Sequence, residues 1–89
     1  MVKEFKMYAA DDPARIHQTP GFDRAEKAGE RMIEFRLYND DQDLDFIGQM
    51  TFGLYDSADI LDPLDSGEAD YGSTTLKVLN PDTKKWQVI

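Results

Sequence analysis

A chain of 89 residues, 40 % of them hydrophobic, can fill one core and not two, so residues 1–89 are read as a single acidic globular domain. With no cysteine, disulfides, thiolate nucleophiles and cysteine-based metal sites are excluded, and no apolar run approaches the ~20 residues that cross a bilayer. A net charge of −8 argues against direct binding to nucleic acid or to an anionic membrane, and for a basic protein as partner.

The charge is unevenly distributed. Residues 1–36 hold seven acids and seven bases, residues 37–76 hold ten acids and no lysine or arginine, and the remainder adds a net +2. Charged residues among the first six interrupt any apolar leader core, which makes the cytoplasm the expected compartment.

Residues 2–9 alternate, with Phe5, Met7 and Ala9 on one side, as a half-buried strand does. Asp12-Pro13 is a helix-start signature and predicts a single helical turn over 13–18, broken by Pro20-Gly21. Good helix formers, an N-cap at Asp23 and an Asp23–Lys27 pair predict a short helix over 23–30. The period then shortens, and Ile33, Phe35 and Leu37 mark a strand over 31–38.

A turn over 39–44 leads to a strand over 45–55, with Phe46, Gly48, Met50, Phe52 and Leu54 on one face. Pairing Leu37 with Phe46 sets Phe35 opposite Gly48 and Ile33 opposite Met50, so a single antiparallel register buries both apolar faces. Residues 56–72, rich in Asp, Ser, Gly and Pro, read as a long loop with a helical turn over 58–61. A closing hairpin of residues 74–79 and 85–89 pairs Val78 with Trp86 and Leu76 with Val88 around a turn that puts Thr83 in the left-handed region; this register makes Trp86 a core residue. The expected fold is α+β and β-rich: an antiparallel sheet of about five strands with one or two short helices packed on one face.

Asp56, Asp59, Asp62, Asp65 and Glu68 recur every third residue. Such spacing makes a stripe on a helix or a row on an extended chain, and either can stand in for a line of phosphates before a basic groove. Asp40, Asp41, Asp43 and Asp45 form a second cluster whose alternate spacing suits a hard cation, yet the calcium-loop pattern fails because its glycine and glutamate positions fall on Phe46 and Phe52. Tyr38 and Tyr55, on the polar phase of their strands, are expected as an exposed contact pair. His17, the only histidine, reads as a surface or capping group, and no serine lies in a nucleophile-elbow context.

No catalytic residues, resident metal or cofactor are assigned, and an enzyme is not expected. The expected function is a small acidic interaction protein, an inhibitor presenting a nucleic-acid-like face to a basic partner. The rivals are a self-associating accessory subunit, such as a homodimer, and a calcium-stabilised binding module.

Overall fold

The computed structural model describes residues 1–89. In chain order the elements are β1 (Phe5–Ala9), β2 (Ile16–Gln18), α1 (Phe22–Lys27), β3 (Met32–Tyr38), β4 (Leu44–Thr51), α2 (Phe52–Tyr55), α3 (Asp62–Tyr71), β5 (Thr75–Leu79) and β6 (Trp86–Val88). All six strands join one sheet in the order β2-β1-β4-β3-β5-β6, with every neighbouring pair antiparallel. The sequence accounts for five of the strands. The additional one is β2, where a helical turn was expected: Met7 faces His17, and Tyr8 faces Ile16.

The central hairpin has the expected register, with Leu37 opposite Phe46, Phe35 opposite Gly48 and Ile33 opposite Met50. Alternation places these side chains on one face together with Phe5, Met7, Leu76 and Val78, and all of them are buried. Phe5 and Phe35 meet edge to face with ring centroids 6.4 Å apart. One irregularity interrupts the hairpin: Tyr38 pairs with Leu44, leaving Asp45 as an extra, bulged residue.

β4 ends at Thr51 and does not continue to Tyr55 as the alternation suggests. The Thr51 hydroxyl caps α2 by accepting the Leu54 N–H at 3.4 Å; it also accepts the Glu4 N–H at 3.1 Å and donates to the Val2 carbonyl at 2.7 Å. Phe52 and Leu54 therefore reach the core from a helical turn, and Leu54 is fully buried there.

The long loop expected over 56–72 is largely helix. Since β5 lies on the far side of β3 from β4, the chain must cross over the sheet, and α3 makes that crossing. Its ends are signalled by Pro63 in the first turn and by Gly72, left-handed at φ 72°, after the last. Pro63 and Gly67 are buried, while Leu64 and Tyr71 pack against the core cluster. Phe22 and Ala25 of α1 are buried outside that cluster. Phe22 shares a groove with Lys6, Tyr8, Ile16 and Ile47, which alternate with core residues along their strands, so α1 lies toward the opposite face.

The closing hairpin differs from expectation by one residue. Leu79 pairs with Trp86 and Lys77 with Val88, and the left-handed residue is Lys84 at φ 60°, not Thr83. A four-residue turn over 81–84, closed by the Asn80 N–H on the Lys85 carbonyl at 2.9 Å, sets this register. Asn80 Oδ1 accepts from the Asp82 and Thr83 N–H groups, which favours the longer turn. Trp86 is consequently 39 % exposed on the face opposite the core.

Candidate interaction surface

The helix gathers part of the acidic stripe. Asp62, Asp65 and Glu68 lie three residues apart on α3, all exposed, with about 4.5 Å of axial rise between successive carboxylates. Asp62 and Asp65 occupy the first turn, where the positive end of the helix dipole favours acids. Partial burial raises the Asp62 pKa above its ordinary value; Asp59 and Asp65 push the same way, and Lys3 pulls back more weakly. Asp59 precedes the helix and pairs with Lys3 at 2.9 Å, while Asp56 ends α2 and is exposed.

The turn acids divide into two groups. Asp40, Asp41 and Asp43 are exposed in a turn organised by Asn39, whose Oδ1 accepts the N–H groups of Asp41 and Asp43 at 2.9 and 3.0 Å. Asp45, the bulged residue, is buried and accepts the Ser73 hydroxyl at 2.7 Å, so it ties β4 to the exit of α3 and offers nothing to a partner. No group of three His, Asp or Glu side chains converges as a cation site requires, so the calcium reading has no geometric support.

Tyr38 and Tyr55 do not form an exposed pair. Tyr55 is half-buried against the core and Phe52, with ring centroids 5.7 Å apart, because its chain segment is helical. Tyr38 lies on the other face of the sheet, beneath Lys77, whose Nζ is 4.6 Å from the ring centroid.

A cluster that the sequence did not signal holds the C-terminal end of α3. Asp70 accepts two hydrogen bonds from the Arg15 guanidinium, through Nε at 2.7 Å and through Nη2, and its Oδ2 lies 2.8 Å from His17 Nε2. His17 stands edge-on to Phe46 at 5.5 Å, and Arg15 lies over the Tyr71 ring at 5.3 Å. The Tyr71 hydroxyl donates to Asp11 at 2.9 Å, and that hydrogen bond heads the causes that raise its pKa. An acid at a helix C-terminus opposes the dipole, and Arg15 and His17 offset that opposition while binding the β1–β2 hairpin to α3.

Hydrogen bonding from Arg15, then from His17, lowers the Asp70 pKa from 3.8 to about 2, against a smaller opposing effect of burial. A carboxylate depressed in the folded state adds stability above its unfolded pKa and loses that addition as pH falls through the folded value. Asp70→Asn is therefore expected to flatten the pH dependence of the melting temperature between about 4 and about 2, with less effect at high salt. An acid limb identical to that of the wild type would show that Asp70 has no such role.

No known protein family, curated protein or solved structure matches this chain.

Proposed function

We propose that the protein is a small interaction module that sets the acidic side of α3 against a basic protein surface, one that also attracts nucleic acid. The observation that carries this reading is the exposed row Asp62, Asp65 and Glu68 on one side of an ordered helix, with none of the three in an ion pair within the chain. One carboxylate per about 4.5 Å of axis approaches the charge spacing of one strand of duplex DNA, about 3.4 Å. The helix fixes the row before any partner arrives, so little ordering entropy opposes association. Asp59 and Asp56 extend the acidic surface past the N-terminal end of α3, and Asp40, Asp41 and Asp43 lie beyond the other end, where the Thr74 N–H bonds the Tyr38 carbonyl at 2.9 Å.

The test compares wild type with the triple variant Asp62→Asn, Asp65→Asn, Glu68→Gln. The variant is expected to melt within about 4 °C of wild type, because exposed positions tolerate substitution and removing the crowded Asp62 charge relieves repulsion. Capture of basic proteins at about 50 mM salt should be strong for wild type, reduced by added duplex DNA, and lost in the variant. Equal capture by the two proteins with the same salt dependence would overturn the reading.

A further inference from the structure

On the face of the sheet opposite the core, one row runs in register through all six strands: Ile16, Tyr8, Ile47, Arg36, Lys77 and Val88. Five interstrand spacings make it about 24 Å long. Ile16 is 51 % exposed and Val88 63 % exposed, so a band of apolar surface brackets the two cations. Arg36 lies over the Trp86 ring at 4.2 Å and Lys77 over Tyr38 at 4.6 Å, and neither cation has an acid as partner. Stacking on the rings holds both charges in place in advance of any contact.

The arrangement restricts what can cover this face. A second copy stacked sheet on sheet about a two-fold axis at the two cations would set Arg36 and Lys77 against their own equivalents, so that geometry is repulsive. A nucleic-acid strand needs bare ring faces to stack on, and here one face of Trp86 and one of Tyr38 each carry a cation. Glu34 and Glu26 line the groove at the Ile16, Tyr8 and Ile47 end of the row, so the positive charge of this face is confined to Arg36 and Lys77 and matches a short acidic row rather than an extended polyanion. An ordered, acidic surface meets the requirement, and the chain carries one. Along α3 stand Asp62, Asp65 and Glu68, with Leu61, 43 % exposed, next to them as an apolar contact.

We propose that this sheet face receives the acidic side of α3 from a second copy of the chain, with Arg36 and Lys77 meeting Asp62, Asp65 and Glu68. The proposal rests on the reading of α3 as an acidic interaction surface, and it names a basic surface for it that, unlike the partner in that reading, does not attract nucleic acid. The contact is heterologous: each copy gives its helix to one neighbour and its sheet to another, so copies close into a ring or extend as a chain. Charge-assisted contacts to fixed cations make the assembly sensitive to salt.

Sedimentation velocity of the full chain, from about 10 μM to about 1 mM, reads the association directly. Wild type is expected to gain mass with concentration at about 50 mM salt and to return toward the monomer at about 300 mM. Two charge reversals make the test specific: Arg36→Glu with Lys77→Glu, and Asp62→Lys with Asp65→Lys and Glu68→Lys. Each alone should be monomeric because its two surfaces now carry the same sign, and an equimolar mixture should associate again because each reversed surface finds an opposite one. Circular dichroism melts establish that both fold; should either fail, Arg36→Gln with Lys77→Gln or Asp62→Asn with Asp65→Asn and Glu68→Gln replaces it, each expected to weaken association at least tenfold. The proposal is overturned if wild type stays monomeric at about 1 mM and low salt, if association survives both reversals or their neutral replacements, or if the reversed pair folds and does not associate on mixing. Binding of oligothymidylate to a monomeric wild type, lost on reversing Arg36 and Lys77, would assign the face to single-stranded nucleic acid instead. If wild type is monomeric while capture of basic proteins still requires Asp62, Asp65 and Glu68, only the identity of the partner fails. If those three are dispensable in capture and in association alike, the reading of α3 fails with it.

Discussion

Phe46→Ala is expected to lower the melting temperature by at least about 12 °C. Phe46 is fully buried on β4, between β1 and β3, and its ring lies 4.9 Å from Tyr71 and 5.5 Å from His17. Truncating a buried phenylalanine costs about 3–5 kcal/mol, and each kcal/mol is about 4–8 °C in a domain of this size. The loss is a large share of the roughly 5–15 kcal/mol that holds a small domain folded. The site has little means of collapse, because the sheet fixes one side of the cavity and the α3 crossing the other. A shift below about 4 °C, measured by calorimetry, would show that the core is centred elsewhere.

The second large effect is expected at Gly48, and its direction runs against strand propensity. Alanine in a strand is ordinarily more favourable than glycine, by roughly 0.5–1 kcal/mol of backbone entropy. Here a Cβ would stand 2.7 Å from Met7 Cβ and 2.7 Å from Phe35 Cζ, and it would also press on the Lys6 carbonyl. β4 is paired on both sides, so its backbone cannot withdraw without breaking two ladders. Gly48→Ala is expected to destabilise by about 2–3 kcal/mol, the upper part of the range for overpacked cores. Urea unfolding measures this as a lower midpoint at unchanged slope; a neutral or stabilised variant would mean that β1 and β3 leave more room than the geometry indicates.

The parts of the fold legible in the sequence are those fixed by alternation in two strands at once. Ile33, Phe35 and Leu37 had to meet Met50, Gly48 and Phe46 because a one-residue slip would turn one set to solvent. At the closing hairpin the same argument misled. Trp86 and Val88 alternate as core residues do, but the turn geometry decides the register and sends both outward, where Arg36 supplies a cation partner for the indole. α3 was hidden by its composition, since Asp, Ser, Gly and Pro are turn formers. The usable signals were Pro63, Gly72 and the three-residue acid spacing itself, which fits a helix. The acidic row was legible because charge shows in any sequence. The Arg15–His17–Asp70 cluster was not, because 53 and 55 residues separate its partners and only the crossing of α3 over the sheet brings them together.

The spatial order of the strands also bears on how the chain is made. β1 is second in the sheet and is synthesised well before its inner neighbour, β4, with Ala9 opposite Phe46 and Phe5 opposite Met50. The β1–β2 hairpin can close by itself, yet Phe5, Met7 and Ala9 have no sheet to lie in until Met50 has left the ribosome. Closing a segment of about 40 residues then opposes docking by roughly 3 kcal/mol. Until β4 emerges, the N-terminal hairpin is a short, apolar, one-sided ribbon, too small to be stable alone. The nascent chain is therefore most open to mispairing while β3 is being made, and the arrival of β4, which bonds to β1 and β3 at once, closes that window from both sides.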